Sequence, residues 1–444
     1  MSNTCLLAVL VGGVLLLLGG EGSSQLAVGD RHTLVAIRKG WGNPRHLASW
    51  DPAAAAADHC SWEGVTCSSN ATTGGGGVVT ELSLHDMNLT GTVPAAVCDL
   101  ASLTRLDLSN NQLTGAFPAA ALCRCSRLRF LDLANNALHG AHTRDIGRLS
   151  PAMEHLNLSS NRFSGAVPLA VAALPALRSL LLDTNRFTGV YPAAEIGKLA
   201  GLECLTLAVN AFAPAPVPVA FAKLTKLIYF WMSEMNIIGE IPKALSSLTE
   251  LTQLDLSSNN LTGAIPAWVW RHEKLEYLYL NNNTLIGELP RTVTAVNLIE
   301  IDLSTNQLRG EMSEDFDNLR NLTFLSLNRN NLSGELPPDL GKHSPLSSID
   351  ISRTVISPNI QWIEMGNNKF SGSIPRTAIK LLVFSAENNQ LDGELPADMS
   401  KLANLIELKV PDNRITGPIP ASIKLLLNLK SLNLSGNQLI GAIS

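Results

Sequence analysis

The sequence predicts an α/β repeat protein: a right-handed solenoid with a parallel concave β-sheet, short convex helices or 3-10 turns, and a helical, disulfide-stapled N-terminal cap. Three observations predict it. Leucine-type residues open a Leu-x-Leu pair sixteen times between Leu82 and Leu432, at intervals of 21 to 25 residues with one interval of 14. An asparagine stands five residues after the first leucine in thirteen of the sixteen units. Gly-x-x-Pro then closes eleven of them, from Gly91 to Pro94 through Gly417 to Pro420. A fixed period over most of 444 residues marks a repeat array and not two or three separate cores.

The N-terminus comes first. Leu6 to Leu18 is an apolar run followed by Gly19, Gly20, Gly22, Ser23 and Ser24, so residues 1–24 read as a secretory signal peptide. No other segment approaches the roughly 20 apolar residues that span a bilayer. Residues 25–77 read as the cap, with Leu34, Ile37 and Trp41 on one helical face and Trp50 and Trp62 placed to cover the first coil. A stack of leucine turns exposes its core at each end, so a cap is physically required. Cys60 and Cys67 are expected to form a disulfide within it, since their spacing fits a small loop-rich staple and not a CxxC redox or zinc motif. Cys98 can reach either Cys123 or Cys125 on the next repeat, with Cys125 the preferred partner, and Cys204 is expected unpaired on a strand.

Residues 78–357 hold repeats one to twelve, the twelfth incomplete, and residues 358–444 hold repeats thirteen to sixteen. Leu251-Thr-Gln-Leu254-Asp-Leu256-Ser-Ser-Asn259-Asn-Leu261-Thr-Gly263-Ala-Ile265-Pro266 is the full unit, the leucine-rich repeat pattern. Its leucines point inward because strand side chains alternate faces, and stacking the units makes a continuous core. The asparagine turns inward to bond the backbone above and below, which makes that column structural and not catalytic. Glycine permits the turn, and proline stops the ladder before the convex segment. The 14-residue interval between Ile349 and Ile363 predicts strained or broken pairing there. The end at Gly441-Ala-Ile-Ser444 falls inside a turn, which predicts a truncated array with an open last coil and no C-terminal cap.

Composition narrows the function. With 38 acidic against 33 basic residues and no long run of one sign, nothing indicates a nucleic-acid or anionic-membrane surface. Val35-Ala-Ile-Arg38 has arginine where a kinase strand needs lysine, and no histidine pairs with a nucleophile or a metal-type spacing, so neither an enzyme, a metal nor a cofactor is expected. Eight Asn-x-Ser/Thr sequons, at Asn70, Asn88, Asn157, Asn260, Asn282, Asn321, Asn331 and Asn433, agree with a secretory route. If the leucines face in, the residues flanking them face out on the concave sheet. Those positions offer Tyr229, Trp231 and Glu234 in repeat seven, Asp255 in eight, Tyr277, Tyr279 and Asn281 in nine, and Glu300 and Asp302 in ten. Phe324 and Arg329 follow in eleven, Arg353 in twelve, and Trp362 and Glu364 in thirteen. Rigid aromatics beside fixed charges suit an extended peptide, so repeats seven to thirteen are the expected groove.

The Cys60-Ser-Trp62-Glu-Gly64-Val65-Thr-Cys67 cap, the 24-residue unit and the Leu-x-Gly-x-Ile-Pro ending together resemble plant extracellular leucine-rich repeat proteins. Trp231-Met-Ser-Glu-Met-Asn-Ile-Ile-Gly-Glu-Ile-Pro242, Ile301-Asp-Leu-Ser304 and Asn321-Leu-Thr-Phe324 look most like the HAESA-like group of receptor kinases. That resemblance implies a secreted peptide ligand on the inner face, a shorter leucine-rich repeat co-receptor kinase as partner, the outer side of the plasma membrane as location, and a membrane span and Ser/Thr kinase that this chain lacks. Many relatives read a peptide carboxylate with Arg-x-Arg on a late strand. Here the late strands carry Val383, Ser385, Glu387, Glu407 and Lys409 instead. The alternative is a secreted leucine-rich repeat inhibitor of pathogen wall-degrading enzymes.

Overall fold

The computed structural model describes residues 23–51, 58–68, 77–141, 143–335, 360–376, 378 and 380–441. Residues 1–22 of the expected signal peptide, Asn70, Arg353 and the strand expected at Ile349 lie outside them, while Ser23 and Ser24 open the first helix. The chain forms a leucine-rich repeat solenoid of two compact units, Met1–Pro214 with Ala220–Met235, and Ala215–Val219 with Asn236–Ser444.

In the N-terminal unit the helix Ser23–Gly40 buries Leu34, Ile37 and Trp41. The Trp41 indole donates to the Thr92 carbonyl (3.0 Å), pinning the helix to the first coil. Trp50 stacks on Trp62 at 6.2 Å and donates to the Glu63 carbonyl. Buried Asp30 accepts from the Val79 amide at 2.8 Å, and burial pushes its carboxyl above the usual range. Gly64 explains the Trp-Glu-Gly-Val stretch: its φ is +71°, and a Cβ there would lie 2.4 Å from the Ser83 carbonyl oxygen. Disulfides join Cys60 to Cys67 and Cys98 to Cys125. Cys123 is the free cysteine among the described residues.

The cap strand Val65–Cys67 pairs antiparallel with Val79–Ser83. From there the strands run parallel through Arg105–Asp107, Phe130–Asp132, His155–Asn157, Ser179–Leu181, Cys204–Thr206 and Tyr229–Trp231. Cys204 lies on the strand expected of it. Its side chain is buried with Leu181 and Tyr229.

The C-terminal unit repeats the plan with Gln253–Asp255, Tyr277–Tyr279, Glu300–Asp302, Phe324–Ser326, Trp362–Glu364, Val383–Ser385, Glu407–Lys409 and Ser431–Asn433. Central residues of the first seven strands, from Leu254 to Leu408, are buried. Most convex segments are single 3-10 turns such as Lys243–Ser247 and Ala421–Leu425. The last coil leaves Leu427 and Leu432 exposed. No helix among the described residues is long and apolar enough to cross a membrane.

The asparagine ladder works as the repeat demands. Asn306 donates to the carbonyls of Leu280, Leu303 and Ser304 while its Oδ1 accepts from the Leu285 amide, and its counterparts do the same. The residue just before each ladder asparagine turns the chain in the left-handed region, as at Asn110, Thr184, Ser258 and Thr305. The pairing of the Ile349 unit with the Ile363 unit, expected to be strained or broken, lies outside the described residues. Among those described, Phe324, Leu325 and Ser326 pair in register with Trp362, Ile363 and Glu364. Asn368 bridges the same junction, donating to the Leu327 carbonyl (2.9 Å) and accepting from the Leu332 amide (3.0 Å). The thirteenth unit thus supplies acceptors to the Leu327, Arg329 and Leu332 amides of the eleventh.

Candidate functional site

Two columns of side chains flank the buried leucines of each main sheet, because alternate residues of a three-residue strand share a face. In the C-terminal unit one column runs Gln253, Tyr277, Glu300, Phe324, Trp362, Val383, Glu407. The other runs Asp255, Tyr279, Asp302, Ser326, Glu364, Ser385, Lys409. The expected residues Asp255, Tyr277, Tyr279, Glu300, Asp302, Phe324, Trp362 and Glu364 therefore share one face, each half-buried. Asn281, also half-buried, stands just beyond the second column.

Tyr279 and Glu300 are joined across strands, the phenol donating to Glu300 Oε2. Burial first, and then that hydrogen bond to a carboxylate, push the Tyr279 hydroxyl far above its ordinary value. Burial also raises the Glu364 carboxyl, and Asp302, Glu387 and Glu407 raise it further against a smaller opposing effect of Lys409. Asn328 donates to Glu364 Oε2 at 3.2 Å. Asp255 and Asp302 each spend one oxygen on a turn. Asp302 Oδ1 accepts from the Ser304 amide (2.9 Å), and Asp255 Oδ1 from both the amide and the hydroxyl of Ser257. The Asp-Leu-Ser stretches are thus partly turn chemistry.

The N-terminal unit presents its own face. Arg105 lies over the Phe130 ring (3.5 Å to the centroid), and Phe130 stacks on His155 at 4.2 Å. Further along, Trp231 packs against the buried cluster of Leu181, Cys204 and Tyr229, and its indole donates to Ser233 Oγ at 2.6 Å. Tyr229 is buried, unlike the exposed position expected of it. The column that runs Arg105, Phe130, His155, Ser179, Cys204, Tyr229 was missed in the sequence because these residues belong to different repeats, and only the register brings them together.

Glu234 and Arg329 stand beyond the strands, each exposed and just before its ladder position, where the backbone has a positive φ of 51° and 54°. Among the sequons, Asn88, Asn260, Asn282, Asn321, Asn331 and Asn433 are exposed. Asn157 is the correction: it is buried, donates to Asp132 Oδ2 at 2.9 Å, and accepts from the Ser159 amide and hydroxyl, so its amide has no room for a glycan. The ligand atoms of His59, Cys60 and Cys67 lie within 4.8 Å of one another, but both sulfurs are spent in the disulfide and offer no thiolate to a metal.

This stack of strand, asparagine ladder and convex turn defines a leucine-rich repeat solenoid, and the chain belongs to that family: residues 91–330, more than half of it, match the leucine-rich repeat region, and residues 29–68 match the leucine rich repeat N-terminal domain. Within the family it is most like the ectodomains of plant receptor kinases. The Arabidopsis receptor kinase HAESA, solved in complex with the peptide hormone IDA and the co-receptor SERK1, superposes with a TM-score of 0.74 at 30% identity, covering 94% of this chain and 74% of that one. The rice receptor protein kinase WSS1 is 52% identical over 62 residues, 14% of this chain and 6% of that protein. Polygalacturonase inhibitor 2 of Arabidopsis thaliana is 43% identical over 77 residues, 17% of this chain and 22% of the inhibitor. The matches thus span a minor share of the curated relatives' own length.

Proposed function

We propose that this chain is the extracellular, peptide-sensing part of a plant leucine-rich repeat receptor kinase, reached through the secretory route and glycosylated at exposed sequons. It takes a secreted peptide across the flanking columns of the main sheet and then recruits a shorter leucine-rich repeat co-receptor. The observation that carries the reading is the placement of Tyr277, Tyr279, Phe324 and Trp362 beside Glu300, Asp302 and Glu364 on one half-exposed sheet face. Rigid rings supply apolar contact at small entropic cost, and fixed carboxylates orient a chain laid across them. The likeness to HAESA with its peptide hormone supports the same reading.

A second reading, inhibition of a pathogen polygalacturonase, is favoured by the likeness to polygalacturonase inhibitor 2. One pair of assays separates them. The secreted chain is offered a phage-displayed library of random dodecapeptides and, separately, an active fungal polygalacturonase. The receptor reading expects peptides whose binding is lost in Tyr279→Ala/Trp362→Ala with the circular dichroism spectrum unchanged, and no inhibition of the enzyme. Inhibition without peptide selection reverses the assignment.

A further inference from the structure

The face proposed above for a peptide is strongly one-signed in the C-terminal unit. Its flanking columns and the position just beyond them present Glu300, Asp302, Glu364, Glu387 and Glu407 as half-buried carboxylates. The cation among them, Lys409, is held by Glu407 of its own strand at 2.5 Å. Glu364 stands at the middle of this field. Asp302, Glu387 and Glu407 all act on its carboxyl in the same direction, so each lies within electrostatic reach of Glu364.

Spacing separates the possible occupants. Asp302 pairs with Ser326 and Ser326 with Glu364, so the two carboxylates are two strands apart. With neighbouring strands about 4.8 Å apart, that distance is about 10 Å. A single metal ion bound through oxygens at ~2.0 to 2.6 Å cannot bridge it. An extended chain crossing the strands can. In a polyproline-type backbone, residues three apart fall on the same side and are ~9.3 Å apart, close to two strand spacings. The parallel column places Tyr277, Phe324 and Trp362 beside the carboxylates, and their ring faces attract Lys and Arg side chains within about 6 Å.

We propose that this face selects a cationic peptide, one whose Lys or Arg side chains three residues apart meet Asp302 and Glu364. The inference rests on the peptide-sensing reading and narrows its ligand class. It also accounts for the missing late Arg-x-Arg pair: Val383, Ser385, Glu407 and Lys409 occupy those strand positions, a surface built to hold a positive ligand side chain and not a free carboxylate.

The test uses the full secreted chain and the same random dodecapeptide library. Selected peptides are expected to be enriched in Lys and Arg over the starting library, with pairs at i and i+3 over-represented. Their binding should weaken at least tenfold between low and high salt. Asp302→Asn with Glu364→Gln keeps an acceptor for Ser304 and for Asn328 while removing both charges, and should weaken binding at least tenfold with the circular dichroism spectrum unchanged. Peptides with Lys and Arg at the starting frequency, bound equally well by that neutral variant, overturn the cationic assignment. If those peptides still fail to bind Tyr279→Ala/Trp362→Ala, the peptide-sensing reading stands without it. If no variant alters binding, or no peptide is selected, both readings fall.

Discussion

Asn306 is the position at which the ladder can be broken most cleanly. It is buried, and its side chain makes four hydrogen bonds at 3.0 to 3.2 Å. All three of its carbonyl partners have second donors: Leu280 also accepts from Asn283, Leu303 from Asn330, and Ser304 from the Asn282 amide. The Leu285 amide has Asn306 Oδ1 as its acceptor. Asn306→Ala therefore strands one buried N–H, at about 1 to 3 kcal/mol, and removes three further hydrogen bonds whose loss is softened by the second donors, at roughly 0.5 to 1.5 kcal/mol each. The expected destabilisation is roughly 2.5 to 7.5 kcal/mol. Asn306→Asp keeps the acceptor for Leu285 but aims a carboxylate at three carbonyl oxygens. Its folded pKa must then rise above the unfolded value of about 3.9, so the penalty is absent below that pH and grows as pH rises through the folded pKa. Urea unfolding of both variants, with hydrogen exchange at the Leu285 amide, reads the effect locally, which suits an array that opens unit by unit. Gln307→Ala, exposed next door, should stay within about 0.5 kcal/mol of the parent. The account of the ladder is wrong if Asn306→Ala is as mild as that control, or if Asn306→Asp is no worse at neutral than at acid pH relative to Asn306→Ala.

Two more perturbations follow from the same geometry. Val209 holds a φ of 53° at the turn position where other repeats place Asn110, Asn135 or Asn388, and a β-branched side chain is strained there. Val209→Asn should raise stability by about 1 kcal/mol in thermal unfolding; an unchanged or lower midpoint would show that the strain is relieved elsewhere. Glu364 has its carboxyl raised by burial and by facing Asp302, Glu387 and Glu407, with Lys409 opposing. A carboxyl raised in the folded state lowers stability once pH exceeds its unfolded pKa. Glu364→Gln should thus be the more stable protein at neutral pH, with the advantage vanishing in acid below the unfolded value of about 4.3. An advantage that persists unchanged in acid would trace to packing and not to charge.

The repeat, the ladder and the cap were legible in the sequence because each is set by contacts at a fixed offset: a leucine, an asparagine five residues on, a glycine before a proline. The same regularity located the aromatic and acidic columns of the C-terminal unit, since strand alternation alone fixes which side chains share a face. Three features needed coordinates. The pairing of Leu325 with Ile363 joins units that are not neighbours in the sequence count, and counting intervals along the chain pairs only consecutive units. Glu234 and Arg329 were counted along the chain as strand neighbours, and only the coordinates show that they stand beyond the strands at turn positions of positive φ. Tyr229 was expected on the exposed sheet face, but it is buried with Leu181 and Cys204.

These departures share a cause that also bears on function. The ladder is satisfied through backbone groups and one asparagine per repeat, so it places few demands on the flanking columns, and ligand recognition can change there while the array still closes. The flanking carboxylates of the C-terminal unit illustrate the freedom. Glu364 contributes nothing to the ladder, its burial disfavours its own charge, and its neighbours Asp302 and Glu387 disfavour it further. A position whose charge the fold itself opposes is explained most economically by something outside the fold, and a cation arriving on a peptide removes that opposition at the moment of binding.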